Sequence, residues 1–345
     1  ALNIPFQMDL ILGLPGDSYD SHLSTLKTLL EASIDEILVF SCMLLPGSEM
    51  FEERKKWGLK TKHRILPRDF AKLSNGKVVV ETEEVVIGSD TMTFDEYVEL
   101  RLFNFLLSVT NMDIAYSPLK KFLKEHNVGI FDLVSKMLKN LDNAPDCIKN
   151  VCNDYKRSTI NELWDSSEEI LSHYQQESEF KKLLNGEAGI NVLYHHQTLV
   201  MINYMREWTT FIFTTLKNLL KEKKIFNEVL SNQFHDVVNY SLGVSFNPLG
   251  KNRMSTNPKY EFYYDMIEWL NKNNVNLPLS RFRLTSKAEI EFRYSEDQYN
   301  FIQDQLERFD DNIVAASKAL FATTSIPSHY FWRKPFVGNK STTNI

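Results

Sequence analysis

Apolar positions form two kinds of pattern in the first part of the chain, continuous segments and a helical repeat. Residues 6–12 and 36–42 are nearly continuous apolar segments, the pattern of strands covered on both faces of a parallel sheet. Between them, leucines recur at helical spacing over residues 23–30, and the charged segment 48–57 predicts a short helix that ends at Gly58. This order of strand, helix, strand and helix predicts an α/β fold built on parallel strands.

The pattern changes over residues 59–111, which predict a β/α segment connected to the first part. Residues 78–86 are rich in β-branched side chains and predict a strand. Thr93 and Glu96 form a Thr-x-x-Glu capping box at the start of an apolar helix that extends to about Val109.

The remainder of the chain is predicted to be mainly helical. From residue 112 to about 275 the spacing favours helices, among them 158–183 and 258–273. The segments 281–284 and 289–293 alternate with period two and predict a small β-hairpin. The predicted fold class is therefore α/β followed by mainly α.

Composition narrows the functional class. The 345 residues favour two domains, and an apolar content of 43% is typical of a globular protein. A net charge of −6 argues against nucleic acid or an anionic membrane as the main partner. No apolar segment reaches the ~18–20 residues of a membrane span, and no signal peptide opens the chain. With only Cys42, Cys147 and Cys152, we expect a protein of the reducing cytoplasm.

The chain begins almost inside its first predicted strand, because the apolar segment 6–12 follows Ala1 closely. A strand at the edge of a sheet needs a neighbour for its backbone groups. We therefore expect that the complete protein contains further sequence before Ala1.

Both predicted parallel strands end in a turn that contains Pro and Gly. Gly13-Leu14-Pro15-Gly16 follows the first strand, and Leu45-Pro46-Gly47 follows the second. The carboxyl ends of parallel strands are where α/β folds bind ligands, and glycines let the backbone approach a ligand closely. A tight connection without a ligand is the alternative for either turn alone.

A resemblance to a known family is carried by two stretches, Asp9-Leu-Ile-Leu-Gly-Leu-Pro-Gly-Asp-Ser18 and Phe40-Ser-Cys-Met-Leu-Leu-Pro-Gly-Ser-Glu49. Together they resemble the last two βα units of radical S-adenosylmethionine (SAM) enzymes. The resemblance is strongest to the subgroup that carries an upstream cobalamin-binding domain. It covers residues 5–58 well and extends more weakly to about residue 110.

The family's fifth strand carries a Gly-x-Ile-x-Gly-x-x-Glu-like motif whose apolar side chains pack on adenine. Ile11 and Gly13 match its Ile and its second Gly, whereas Asp9 and Gly16 replace its first Gly and its Glu. The sixth strand of the family ends in a Pro-Gly-Thr-like turn, which Pro46-Gly47-Ser48 resembles.

The resemblance implies a set of residues that bind the adenosine part of SAM: Ile11, Gly13, Leu14, Pro15, Gly16, Leu44, Leu45, Pro46 and Gly47. Radical SAM enzymes also hold a 4Fe-4S cluster on three thiolates, usually spaced Cys-x3-Cys-x2-Cys. This chain has no such motif, so we expect the cluster ligands in a missing N-terminal part and predict no metal ligand here. Cobalamin is a further candidate cofactor by the same resemblance.

By resemblance, the complete enzyme cleaves SAM reductively to a 5′-deoxyadenosyl radical for radical chemistry, or for cobalamin-dependent methyl transfer, on an unknown substrate. No catalytic residue is assigned. The implied domains are the last part of a partial (β/α)6 TIM-like barrel (1–58), a β/α segment packed on it (59–111), a helical accessory or substrate domain (112–335) and a disordered tail (336–345).

Three residues outside the turns have open interpretations. Arg64 and Arg68 flank the apolar segment 65–67 and are candidates for binding an anionic substrate, with a solvated loop as the alternative. Cys42 ends the second strand and is either a thiol near the cofactor or a small buried apolar residue.

Two rival functions remain. The chain is either part of an enzyme, as above, or a non-catalytic helical interaction module that retains a βα remnant. A third hypothesis is another α/β enzyme that binds phosphate at residues 13–17, although the chain lacks the Lys-Ser/Thr of a P-loop. Parallel pairing of 6–12 with 36–42, with one unpaired edge, favours the barrel interpretation.

Overall fold

The computed structural model describes residues 7–32, 34, 36–246, 256–271, 274, 276–309, 313–317, 320–321 and 328–337. The chain divides into two compact units, which we describe separately. The first comprises Ala1–Phe105 and Cys152–Leu193, and the second comprises Leu106–Val151 and Tyr194–Ile345.

The first unit opens with the predicted strand–helix–strand–helix order. Strands β1 (Gln7–Leu12) and β2 (Glu36–Ser41) are parallel neighbours joined by helix α1 (Tyr19–Glu31), and the short helix α2 (Glu49–Glu52) follows. Helix α1 begins where it does because its N-cap, Ser18, accepts a hydrogen bond from a backbone N–H of the first turn. The α/β class predicted for this part is confirmed.

An antiparallel pair of long strands follows, β3 (Lys60–Lys72) and β4 (Val78–Gly88). β4 also bonds the segment after β2, since Val86 N–H donates to the Cys42 carbonyl at 2.9 Å. Four residues of β3, 66–69, bulge between Ile65 and Phe70. The strand predicted over 78–86 is therefore present.

Helices complete the first unit. Helix α3 (Phe94–Thr110) begins at the predicted capping box, in which Thr93 N–H donates to the Glu96 carboxylate at 2.7 Å and Glu96 N–H donates to the Thr93 hydroxyl at 3.2 Å. The later helices are α6 (Asp146–Asn161), from Cys152 onward, α7 (Ser167–Tyr174) and α8 (Glu177–Asn185).

The single helix predicted over 158–183 is wrong. The chain leaves the helix after residue 161, and Trp164 instead forms two backbone hydrogen bonds with His63 of β3, at 2.7 and 2.9 Å. A new helix, α7, then begins at Ser167 after the N-cap Ser166, whose hydroxyl accepts from Glu169 N–H. The capping serine and the bridge to β3 outweigh the continuous helical spacing.

The second unit is mainly helical and includes one antiparallel sheet. Its helices, beyond the parts of α3 and α6 that it contains, are α4 (Asp113–Glu125), α5 (Ile130–Lys139), α9 (Val192–Asn203), α10 (Met205–Glu222), α11 (Glu228–Ser245), α12 (Met266–Leu270), α13 (Glu296–Phe309) and α14 (Ile313–Ser317). The sheet order is β5 (Lys259–Tyr264), β6 (Arg283–Arg293) and β7 (Lys334–Val337).

Two predictions for this unit are wrong. The helix predicted over 258–273 begins only at Met266, because the aromatic-rich segment before it forms β5 and buries Phe262 and Tyr264. The hairpin predicted over 281–293 is one continuous strand, β6, which pairs with β5 on one side and β7 on the other.

The boundaries of the two units differ from those that the pattern of apolar positions suggests. Residues 152–193 belong to the first unit, whereas their helical spacing places them with the helical region. The predicted boundaries after residues 58 and 111 stay predictions. Of the predicted tail, Phe336 and Val337 end β7, and residues 338–345 lie outside the described residues. In the described part of the chain, no helix combines the length and apolar character needed to cross a membrane.

Candidate functional site

The turn after β1 has a backbone that glycine alone adopts readily. Gly13 and Gly16 have φ values of 96° and 79°, in the left-handed region. Asp17 N–H donates to the Leu14 carbonyl at 3.0 Å and closes the turn, in which Pro15 and Gly16 occupy the two central positions. The Gly spacing seen in the sequence therefore follows from this backbone.

The turn after β2 is built in a similar way. Ser48 N–H donates to the Leu45 carbonyl at 3.0 Å, and the Ser48 hydroxyl donates to the same carbonyl at 2.7 Å. Ser48 is also the N-cap of α2, since its hydroxyl accepts from Phe51 N–H at 3.2 Å. Each parallel strand therefore ends in a turn closed by a hydrogen bond and followed by a capped helix.

The structure brings the two predicted turns together next to β4. Cys42 N–H donates to the Leu12 carbonyl at 2.8 Å, so β2 and β1 stay paired up to their carboxyl ends. A Cβ on Gly13 would lie 3.4 Å from Cγ1 of Val86, and Val86 also packs with Cys42 and Leu44. The predicted cofactor residues of both turns are thus neighbours of one β4 residue.

Large apolar side chains are exposed around these turns. We call them the apolar rim: Ile11, Leu14, Phe40, Met43 and Leu45, which are between 37% and 61% exposed. Ile11 and Phe40 are partners in the parallel register and therefore project from the same face of the sheet. The opposite face carries Leu12, which is fully buried in the core with Val85 and Tyr97.

Not every predicted cofactor residue is exposed. The Leu44 side chain is buried in a cluster with Cys42 and Val86, and Met50 and Phe51 of α2 pack against this cluster. Pro15 is half-buried, and Gly13 is buried. Contact of all nine predicted residues with a cofactor stays a prediction.

Asp17 anchors the first turn to α1. Its carboxylate accepts hydrogen bonds from Ser18 N–H at 3.0 Å and from the Ser21 hydroxyl, and its second oxygen lies 3.3 Å from Nδ1 of His22. Burial raises the pKa of the Asp17 carboxyl, but the bonds from His22 and Ser21 outweigh it, so the pKa is lowered overall. Asp17 is therefore ionised at neutral pH.

Arg64 is placed in an ion-pair network. Its Nε donates to the Glu83 carboxylate at 2.5 Å and its Nη1 donates to Glu162 at 3.1 Å, with all three side chains largely buried. Burial opposes the charged guanidinium, but Glu162 and Glu83 raise the pKa of Arg64 overall. Its charge is neutralised by protein carboxylates, which favours a structural role, and substrate binding by Arg64 stays a prediction.

Arg68 differs from Arg64. It lies in the β3 bulge with a φ of 72°, and its N–H donates to the Gly189 carbonyl at 3.0 Å. In the part of the chain that the structure describes, its guanidinium forms no ion pair. The two arginines therefore have different partners, and their binding of an anionic substrate stays a prediction.

Arg101 belongs to the same network as Arg64. It is not among the residues predicted from the sequence. Its Nη1 donates to the Ser41 hydroxyl at 2.9 Å and to the Tyr97 hydroxyl at 3.3 Å, and its Nη2 lies 3.7 Å from Glu162. Ser41 is the last residue of β2. The available signal was a single Arg between Leu100 and Leu102 in an apolar helix.

Two of the three cysteines have the character of apolar core residues. Cys42 and Cys152 are buried, and burial raises the pKa of both thiols, that of Cys152 to about 12. The Sγ of Cys42 lies 3.5 Å from Sδ of Met50. Among the described residues, no group of three His, Cys, Asp or Glu side chains could hold a metal ion. The interpretation of Cys42 as a small buried residue is favoured.

Comparison of the chain with models of known protein families and with curated proteins returned no match.

Proposed function

We propose that this chain is the C-terminal part of a radical SAM enzyme of the cobalamin-binding type, and that its two turns contact the adenosine part of SAM. The observation that carries the proposal is the apolar rim. Two parallel strands expose Ile11 and Phe40 on one face, and each strand ends in a glycine-containing turn. Parallel strands are normally covered on both faces, so this face fits a ligand or further protein.

The residues of the rim fit an adenosine ligand. Adenine offers a flat apolar face, which branched side chains such as Ile11 and Leu14 can cover. Gly16 and Gly47 have no side chain, and nothing lies within 4 Å of a Cβ built on either, so their backbones are accessible to a ligand. These features support the motif match made from the sequence.

The residues of this chain do not fit the 4Fe-4S cluster. A 4Fe-4S cluster needs three thiolates that lie close together, whereas no group of three possible metal ligands occurs among the described residues, and burial raises the thiol pKa of Cys42 and Cys152. We therefore place the cluster ligands outside the chain. When bound, the cluster would supply the electron that cleaves SAM. The residues described here would bind and orient the adenosine end.

The fold supports the same assignment at a coarser level. β1 and β2 pair only with each other in their sheet, among the described residues, and one face carries the apolar rim. In the proposed partial (β/α)6 barrel they are the fifth and sixth strands, the rim faces the lumen, and the mainly helical second unit selects the substrate.

The test uses the complete reading frame that contains this chain. The protein is reconstituted anaerobically with iron and sulfide, supplied with SAM and dithionite, and assayed for 5′-deoxyadenosine. We expect release by the wild type, and an increase of at least about tenfold in KM for SAM in Ile11→Glu, because a buried carboxylate would face adenine.

Leu73→Glu is the matched control, since Leu73 is also an exposed apolar residue of the first unit but lies outside the rim. Its KM should equal that of the wild type. A complete protein that contains no cluster motif, or that releases no 5′-deoxyadenosine, would overturn the proposal. The rim would then be assigned to the rival function, docking of another protein by a non-catalytic module.

A further inference from the structure

We propose that His22 is a positioning residue for the turn at residues 13–17, which it holds in shape through the carboxylate of Asp17. The proposal rests on the proposed function only for the identity of the ligand, SAM. The shape of the turn itself is a property of this chain, and it can be measured without any ligand.

Asp17 is held from three directions. Its N–H closes the turn on the Leu14 carbonyl at 3.0 Å, and its own carbonyl accepts from the Thr91 hydroxyl at 2.6 Å. Its carboxylate lies between the N-terminal turn of α1, where Ser18 N–H donates at 3.0 Å, and His22. The carboxylate is thus the point at which the turn is attached to the helix.

His22 makes this attachment from inside the unit. Its side chain is only 1% exposed, whereas that of Asp17 is 18% exposed. A carboxylate oxygen only accepts hydrogen bonds, so Nδ1 of His22 carries the proton and donates to Asp17 over 3.3 Å.

The other ring nitrogen indicates that packing alone does not explain a histidine at position 22. Nε2 is buried and has no hydrogen-bond partner among the described residues. Burial of an unpaired polar atom is unfavourable, and an apolar side chain of similar size would avoid it. Among the residues that the structure describes, the bond to Asp17 is the side-chain interaction of His22 that a leucine could not reproduce.

The expected role is preorganisation. A turn that already has its bound shape does not lose conformational freedom when a ligand binds, and the affinity is higher for that reason. Removal of His22 should therefore loosen residues 13–17 and weaken binding, while the fold itself is retained or becomes more stable.

The experiment compares two variants with the wild type. His22→Leu removes the donor and fills the space. His22→Asn keeps an N–H donor close to the position of Nδ1. The first measurement is amide hydrogen exchange in this chain, read at Asp17, together with thermal unfolding. We expect about tenfold faster exchange at Asp17 in His22→Leu, near wild-type exchange in His22→Asn, and no decrease in the melting temperature of His22→Leu.

The second measurement is KM for SAM and kcat for 5′-deoxyadenosine release in the complete enzyme. We expect KM to rise about tenfold in His22→Leu with kcat little changed, and to recover in His22→Asn. If the wild type is active and His22→Leu has the same KM and the same exchange rate, the positioning role is wrong and the proposed function stands. If the wild type is inactive, the proposed function fails, and the exchange rates alone decide whether His22 holds the turn.

Discussion

At the scale of single residues, Gly243 is a position where a buried aromatic ring leaves no space for a side chain. It lies in α11, and a Cβ built on it would be 2.4 Å from Cδ2 and 2.5 Å from Cε2 of the Phe292 ring in β6. Phe292 is itself fully buried, so its ring has little freedom to move. The close approach of α11 to the sheet therefore requires glycine here.

We predict that Gly243→Ala lowers the free energy of unfolding by about 1–3 kcal/mol, because overpacking outweighs the higher helix propensity of alanine. Urea denaturation measures the change. The control is a double-mutant cycle with Phe292→Leu, which opens space beside the new methyl group. The double variant should lose less free energy of unfolding than the sum of the losses in the two single variants. Simple additivity would show that the contact is not the cause.

Single residues also show what the sequence could reveal about the site. The glycines at 13, 16 and 47 were identifiable, because a Pro-Gly turn at a strand end is a local signal and the structure gives each of them a positive φ. Arg64 and Arg68 looked equivalent, since both flank the same apolar segment. They differ because Glu162, which is 98 positions from Arg64, pairs with one and not with the other. Spacing along the chain carries no information about such a partner.

At the scale of elements, the contact between α3 and the end of β2 depends on a buried charge. Arg101 bonds Ser41 and Tyr97 and lies near Glu162, all within the first unit. A buried ion pair adds little to stability as a whole, but removal of one partner leaves the other charge buried without compensation. The network therefore fixes which residues of α3 face β2.

We predict that Arg101→Met lowers the free energy of unfolding by about 3 kcal/mol, because Glu162 loses part of its neutralisation and Ser41 loses a donor. Arg157→Met is the matched control: Arg157 is 70% exposed and pairs with Asp154 one turn away on the same helix, so its loss should change the free energy by less than about 0.5 kcal/mol. Equal urea midpoints for the two variants would contradict the role of Arg101.

Elements also mark the limit of prediction from the pattern of apolar positions. The βα units and the capping box of α3 were predicted because their signals lie within a few residues of each other. β5 was missed because its partners are remote in sequence: β6 pairs with it, and the buried Asp236 of α11 accepts from the N–H groups of Tyr263 and Tyr264 at 2.7 and 2.8 Å. Asp236 lies in a helix and bonds the backbone of a distant strand. The spacing of apolar residues along the chain does not reveal such a contact.

At the scale of the whole molecule, the apolar rim decides how the free chain should behave in solution. Ile11, Leu14, Phe40, Met43 and Leu45 cluster along the carboxyl ends of two parallel strands, and such a cluster on a free surface favours association. This holds whether the complete protein covers the rim with a cofactor, with further strands or with a partner. We predict that the isolated chain self-associates as its concentration rises, and that added salt does not prevent this, because the contact is apolar.

The double variant Phe40→Lys/Leu45→Lys should shift the chain to a monomer, as measured by sedimentation velocity over a range of concentrations. Both side chains are half or more exposed, so the melting temperature should change little. Leu73→Lys/Val229→Lys is the control, because it adds the same charge at two exposed apolar positions outside the rim and should leave self-association intact. If both double variants become monomeric, added charge alone is the cause, and the rim has no special role. If only Phe40→Lys/Leu45→Lys becomes monomeric, the apolar rim is the surface through which the chain self-associates. A ligand or protein that covers the ends of β1 and β2 must then bury this surface.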